Sequence, residues 1–320
     1  MIRGFASRLS LPDGGLMASS EMAVAELHAG FGRRERLGDA WSLLVANKLA
    51  LLGAILSVFF FLIGVIGVAV LAIPSLNHLY LDQNLEQGLQ RPFAPGHLFG
   101  TDQFGRDLAW RVAAGIGVSL IAGVAVTALS MPVGMAVGAA SGYYGGIFDR
   151  IVGGLIDLTW GFPVILVAVI IVGILQPGLP AVIAAISLVN WAGFARIIRA
   201  QVLSLREREF IEAAHALGVS DWKIIARHLI PNTVGTTLVM ASYYIAITVI
   251  AEAGLAFIGL GAQPPLPSLG QLISTGRGLL YVDPWAAIVP GIAIALIVLG
   301  LNTLGDGLRD IFDPRLRTYR

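Results

Sequence analysis

LALLGAILSVFFFLIGVIGVAVLAI, Leu49 to Ile73, is a run of 25 residues without one charged side chain. A helix needs about 20 apolar residues to cross a hydrocarbon core of roughly 30 Å, so this run alone is long enough to span a bilayer. Five further stretches meet or approach the same requirement: Ala113 to Ser141, Ile151 to Leu175, Leu179 to Phe194, Val234 to Gly261 and Trp285 to Leu304. The fourth apolar run stops before Arg196 and Arg199, whose long side chains can snorkel to the interface while the helix continues. Pro132 and Pro163 read as kinks inside their spans. The fold class is all-α, a polytopic membrane protein with six transmembrane helices.

Composition agrees. Of 320 residues, 56% are hydrophobic and 13% charged, whereas soluble chains carry about 25% charged residues. The surroundings are membrane lipid. A net charge of +1, with no basic patch outside the membrane-flanking loops, gives no footprint for nucleic acid as a partner. Cysteine is absent, which excludes disulfides, thiol nucleophiles and cysteine metal sites. The five histidines, His28, His78, His97, His215 and His228, lack ligand spacing, so no metal site is expected.

The chain divides into three parts: a leader over 1–48, a membrane domain over 49–305, and a tail over 306–320. The leader is polar, glycine-rich and basic and lacks the short apolar core of a cleavable signal peptide; its end, Arg33 to Lys48, suits an interfacial segment. Basic residues near span ends stay on the cytoplasmic side. Seventeen of the 21 lysines and arginines fall in the leader, the second and fourth connections and the tail, leaving Arg91, Arg106, Arg111 and Arg277 opposite. Both termini and the loop over 196–231 are therefore expected in the cytoplasm, with the loop over 74–112 outside.

The long fourth connection reads REREFIEAAHALG from Arg206 to Gly218, then VSDWKIIARHLIP to Pro231. Acids Glu207, Glu209 and Glu212 toward the start and Gly218 at the end delimit a short helix up to Leu217. Ser220 or Asp221 can cap a second helix, and Pro231 marks the turn into the fifth span. Ala213 and Ala214 add no bulk, so another protein's surface can approach this backbone closely. This is the make-up of a docking element.

The loop resembles the EAA motif of ABC importer permeases, in which Glu-Ala-Ala is followed by a glycine, a gap of nine residues and an Ile-x-Leu-Pro ending. Glu212, Ala213, Ala214, Gly218 and Pro231 fall at the matching positions; His228 and Ile230 depart from the usual Ile and Leu. From about Arg34 onward the chain is similar to the second permease of dipeptide, oligopeptide and nickel importers in particular. The similarity is carried by NKLAL from Asn47, HLFGTDQFGRD from His97 to Asp107, Ala251-Glu252-Ala253 with FIGLG to Gly261, and Phe312-Asp313-Pro314-Arg315. It implies a type I ABC importer permease fold in a bacterial inner membrane, with Glu212, Ala213, Ala214, Gly218 and Pro231 as the ATPase-coupling residues. The implied partners are a homologous second permease, two cytoplasmic ATPase subunits and an extracytoplasmic substrate-binding protein. ATP and Mg would be used by the ATPases, with no cofactor bound by this chain. Peptides or a related small solute are the implied cargo.

Other residues carry open alternatives. From Gly100 to Val112, Thr101 or Asp102 can cap an amphipathic helix with Phe104, Leu108 and Val112 on one face. That element serves a structural role, or a gate or contact with a binding protein; Asp102, Arg106 and Asp107 are its candidate residues. Asp157, Asn190 and Glu252 are polar groups within spans, which either pair inside the bundle or line the cargo route. Gly134, Gly138 and Gly142 form a small-residue ridge for a helix contact within the subunit or at a subunit interface.

No lysine lies in a Gly-Lys-Ser/Thr phosphate-binding context, so the chain is expected not to hydrolyse ATP itself. An ion-gradient-driven secondary transporter, with Asp157 and Glu252 as ion sites, is the alternative, though it leaves the two-helix loop unexplained.

Overall fold

The computed structural model describes residues 47–312, which places the interfacial segment of the leader and the Phe312 to Arg315 motif outside the described residues, Phe312 itself excepted. Helix α1 covers Lys48–Ala72. Asn47 caps it, its Oδ1 accepting from the Leu49 and Ala50 N–H groups, while its Nδ2 donates to Asp310 near the end of the chain's last helix. A one-turn helix α2, His78–Leu81, follows, and then an irregular loop. Helix α3 runs Leu108–Tyr144 and continues through Pro132. Next come α4 at Gly146–Trp160, α5 at Val164–Leu175 and α6 at Leu179–Leu205. The fourth connection holds α7, Glu209–Ala216, and α8, Asp221–Ile224. Helices α9, Ile230–Phe257, α10, Leu269–Gly276, and α11, Trp285–Phe312, complete the chain.

Among the described residues, five helices are long and apolar enough to cross a membrane singly, and the α4–α5 pair makes a sixth crossing if counted as one. That pair corrects the expectation of a kinked third span: the two helices meet at 84°. A proline disfavours helical backbone in the residue before it and supplies no N–H. Pro163 therefore becomes the N-cap of α5, while the Gly161 N–H closes α4 on Asp157 O and Leu158 O.

The expected turn at Pro231 is also absent. Asp221 to Phe257 forms one long helical unit that widens into a π-turn over Ile225–Leu229 just before the proline. The wider turn makes room for a ring that would otherwise clash with the carbonyl four residues back. Side chains serve two nearby carbonyls: Asn232 Nδ2 donates to His228 O and Thr233 Oγ1 to Ile230 O.

The glycine ridge on α3 seats α6 within the subunit. A Cβ at Gly138 would lie 2.5 Å from Ala195 O, and one at Gly142 would lie 2.7 Å from Arg199 O, so only glycine permits this backbone approach. Helix α10 lies outside the six apolar runs and has no counterpart among the expected elements. Ser268 caps it, and Leu269, Leu272 and Gly276 face inward at helical spacing.

Candidate functional site: the coupling loop and the polar residues of the bundle

The loop between α6 and α9 is a mounted surface. Ile211 and Ala214 from α7 and Ile224, Ile225 and Leu229 from the following helix are buried against Ala139 of α3 and Ile198 and Val202 of α6. Ala214, three residues after Ile211, shares that residue's inward face and is buried. Ala213 and Glu212 are exposed.

Gly218 stops α7 at φ +73°. Its N–H donates to His215 O and the next N–H, from Val219, donates to Ala214 O, so the chain reverses while satisfying carbonyls that the helix end leaves open. A further lock joins the loop to α3. Tyr143 donates its hydroxyl proton to Asp221 Oδ1 at 2.8 Å and lies 2.9 Å from His215 Nε2. The phenol has one proton, so His215 must donate through Nε2–H. Arg206 Nη1 adds a bond to Gly142 O. Tyr143, His215 and Arg206 carry no local signal in the sequence, since the contacts that give them a role are long-range.

Three large apolar side chains are exposed on this mount. Leu217 is 83% exposed and Trp222 71%, and Phe210 is also exposed. Large apolar residues left uncovered on a polar loop mark an interaction surface. Phe210, Ala213 and Leu217 recur at helical spacing, and Leu217 directly precedes Gly218.

The polar residues of the spans separate into two kinds. Asn190 and Glu252 are buried: Asn190 Nδ2 donates to Thr248 Oγ1, and Ser119 Oγ donates to Glu252 Oε2 at 2.7 Å. They form a seam of α9 with α6 and α3, inside the subunit. Asp157 is exposed on α4 and paired with Arg196, whose guanidinium stacks 4.5 Å from the Trp160 ring centroid. Arg199 holds Asp149 through two bonds. Both arginines thus pair with carboxylates of α4, and they border a polar cavity of about 460 Å³ with Arg150 and three glycines of α4.

Asp102, Arg106 and Asp107 build the loop between α2 and α3. No helix starts at Thr101 or Asp102; the cap is Asp107, which accepts from Trp110 N–H, and α3 begins at Leu108. Asp102 closes a turn by accepting from the N–H groups of Phe104 and Arg106 and from Arg106 Nε, and it lies 3.5 Å from the buried Arg111 Nε. His97 Nδ1 contacts Asp107 Oδ2 at 2.7 Å. The three candidate residues are thus engaged with their own loop.

The family described as "Binding-protein-dependent transport system inner membrane component" matches residues 130–318, more than half of the chain and all of the loop between α6 and α9. The chain belongs to this family of importer permeases. The permease is 39% identical over 280 residues to the dipeptide transport system permease protein DppC of Alkalihalophilus pseudofirmus, covering 88% of this chain and 90% of that one. Its identity to the Bacillus subtilis DppC is 36%, over 87% of this chain and 86% of the other. The glutathione transport system permease protein GsiD of Pectobacterium atrosepticum is 39% identical over 69% of this chain and 74% of its own. A chain of the MetNI methionine ABC transporter, solved in inward-facing conformations, shares the fold with a TM-score of 0.52 at 19% identity, covering 64% of the permease and 97% of that chain. Family membership supports a multi-pass permease subunit working with partner subunits and leaves the gradient-driven alternative without support.

Proposed function

We propose that this permease pairs with a homologous second permease to form a translocation path for small peptides, that two cytoplasmic ATPases drive the pair, and that a substrate-binding protein loads it from outside. The observation that carries the proposal is the coupling loop: an exposed apolar surface of Phe210, Leu217 and Trp222 on a helix pair anchored to α3 and α6. A surface so mounted moves with the bundle. Closure of the ATPases on ATP and Mg would displace α7, and the buried contacts of Ile211, Ala214 and Ile224 would carry that displacement into the spans. The loop and both termini then lie in the cytoplasm, as the distribution of basic residues indicates. Peptide cargo is inferred from the relatives named for dipeptide and glutathione transport. The exposed Asp157–Arg196 pair is the proposed polar contribution of α4 and α6 to the path.

The test is co-purification. With the double variant Leu217→Ser, Trp222→Ser, the second permease should be recovered in normal amount and the ATPases should be largely lost, because apolar anchors dominate such interfaces. Full ATPase recovery with the double variant would contradict the proposal.

A further inference from the structure

At the end of the bundle that carries the 74–107 loop, a groove of about 980 Å³ opens between α1, α3 and α11. Phe60, Ile63, Ile116, Ile292 and Leu296 form its apolar walls. Along α11 it extends from Trp285 to Leu296, about 17 Å at the helical rise, which matches one leaflet, half of a hydrocarbon core of roughly 30 Å. A soluble peptide would lose its hydration along such walls without finding polar partners.

The mouth differs from the walls. Arg91 stands there, exposed and, among the described residues, without a carboxylate within ion-pair distance. Trp110 and Trp285 border the same opening, and indoles at this depth present an apolar ring and one N–H donor. Asp283, the acidic residue of the lining, is buried, and the backbone N–H of Trp285 favours its ionised carboxylate. Burial pushes its carboxyl above the usual range. The adjacent Phe93 is held at φ +66° with its ring 81% exposed, a backbone region that bulky side chains rarely occupy. Its backbone N–H is tied to Leu98 O, so the loop fixes the ring at the rim.

We propose that this groove is a binding site for one anionic phospholipid, its acyl chains lying against α1, α3 and α11 and its phosphate at Arg91 beside Trp110 and Trp285. The length of the groove fits the chains, and the unpaired guanidinium fits the phosphate by charge. The site deepens the membrane assignment of the chain and is independent of the ATPase-docking proposal.

The intact transporter, purified in mild detergent and studied by native mass spectrometry, tests this with dioleoylphosphatidylglycerol and dioleoylphosphatidylcholine as probes. One phosphatidylglycerol per copy of this permease should be retained in preference to phosphatidylcholine. Arg91→Gln should lower that retention about fivefold, the weight of one basic residue against anionic lipid, and Arg91→Lys should keep most of it. Arg91 is exposed, so neither variant threatens folding. Equal retention of the two lipids, unchanged by Arg91→Gln, would overturn the site. So would a cysteine at Ile292 that cross-links efficiently to the second permease, since the groove would then be a protein interface.

Discussion

Replacing Gly218 by valine perturbs the proposed coupling loop at one backbone angle. A Cβ there meets no atom within 4 Å, so crowding inside the subunit contributes nothing and the cost comes from φ +73° alone. For an L side chain that region costs about 1–2 kcal/mol. Relaxing it would release the bonds from Gly218 N–H to His215 O and from Val219 N–H to Ala214 O, and with them the link between α7 and α8. A penalty of that size lowers the population of the docking geometry by a factor of about 5 to 30. Uptake of a labelled dipeptide, measured at matched membrane levels, should fall by a comparable factor, and the ATPase should co-purify less well. Gly218→Asn is the control, since asparagine tolerates the left-handed region, and it should keep most activity. Glu212→Ala should be milder than valine, because it removes one exposed charge without adding bulk. Normal uptake by Gly218→Val would refute the reasoning. If asparagine and valine were equally damaging, bulk at the docking surface and not the backbone would be the cause.

Other contacts predict effects of their own. Asp102→Ala should cost about 3 kcal/mol, because it leaves Arg111 buried without its carboxylate, and the loss should appear as a lower thermal unfolding midpoint in detergent. Gly138→Val should reduce the amount of inserted permease, since a Cβ 2.5 Å from Ala195 O forces α3 and α6 apart; wild-type levels by immunoblot would argue against the close approach. Tyr143→Phe removes the hydroxyl that joins His215 and Asp221, which should loosen the loop by about 1 kcal/mol and increase its hydrogen exchange without altering the spans. With no native cysteine in the background, Ser220→Cys should resist an impermeant thiol reagent from outside while Gln87→Cys reacts; the reverse labelling would invert the topology.

Features set by local chemistry were legible in the sequence. The uncharged run from Leu49 predicts α1 to within a residue at each end, because hydropathy and length suffice. Gly218 and the short helix before it were legible because the glycine signals a left-handed stop. Hydropathy does not distinguish Pro132, which lies within continuous helix, from Pro163, where the helix breaks; both sit in equally apolar surroundings. Asp102 illustrates another ambiguity, since closing a turn and capping a helix use the same carboxylate-to-N–H bonds, and the choice between them rests on partners such as Arg111. Asn190 and Glu252 were visible as costly groups within spans, but their burial in a seam with Thr248 and Ser119 depends on how α3, α6 and α9 cross. The exposed Trp222 and the locking Tyr143 likewise acquire meaning only from tertiary placement.

The central claim is that the loop between α6 and α9 docks an ATPase, and the direct measurement is a cross-link at Ala213. This residue is exposed at the centre of the proposed surface, and a cysteine there would be the chain's sole thiol. In membranes containing the whole transporter, Ala213→Cys should form a specific adduct with the ATPase subunit when a short bifunctional reagent is added, and ATP should change its yield. A cysteine at Gln87, at the opposite end, should form none. Absence of an ATPase adduct at Ala213 in a transporter that still imports peptide would contradict the account.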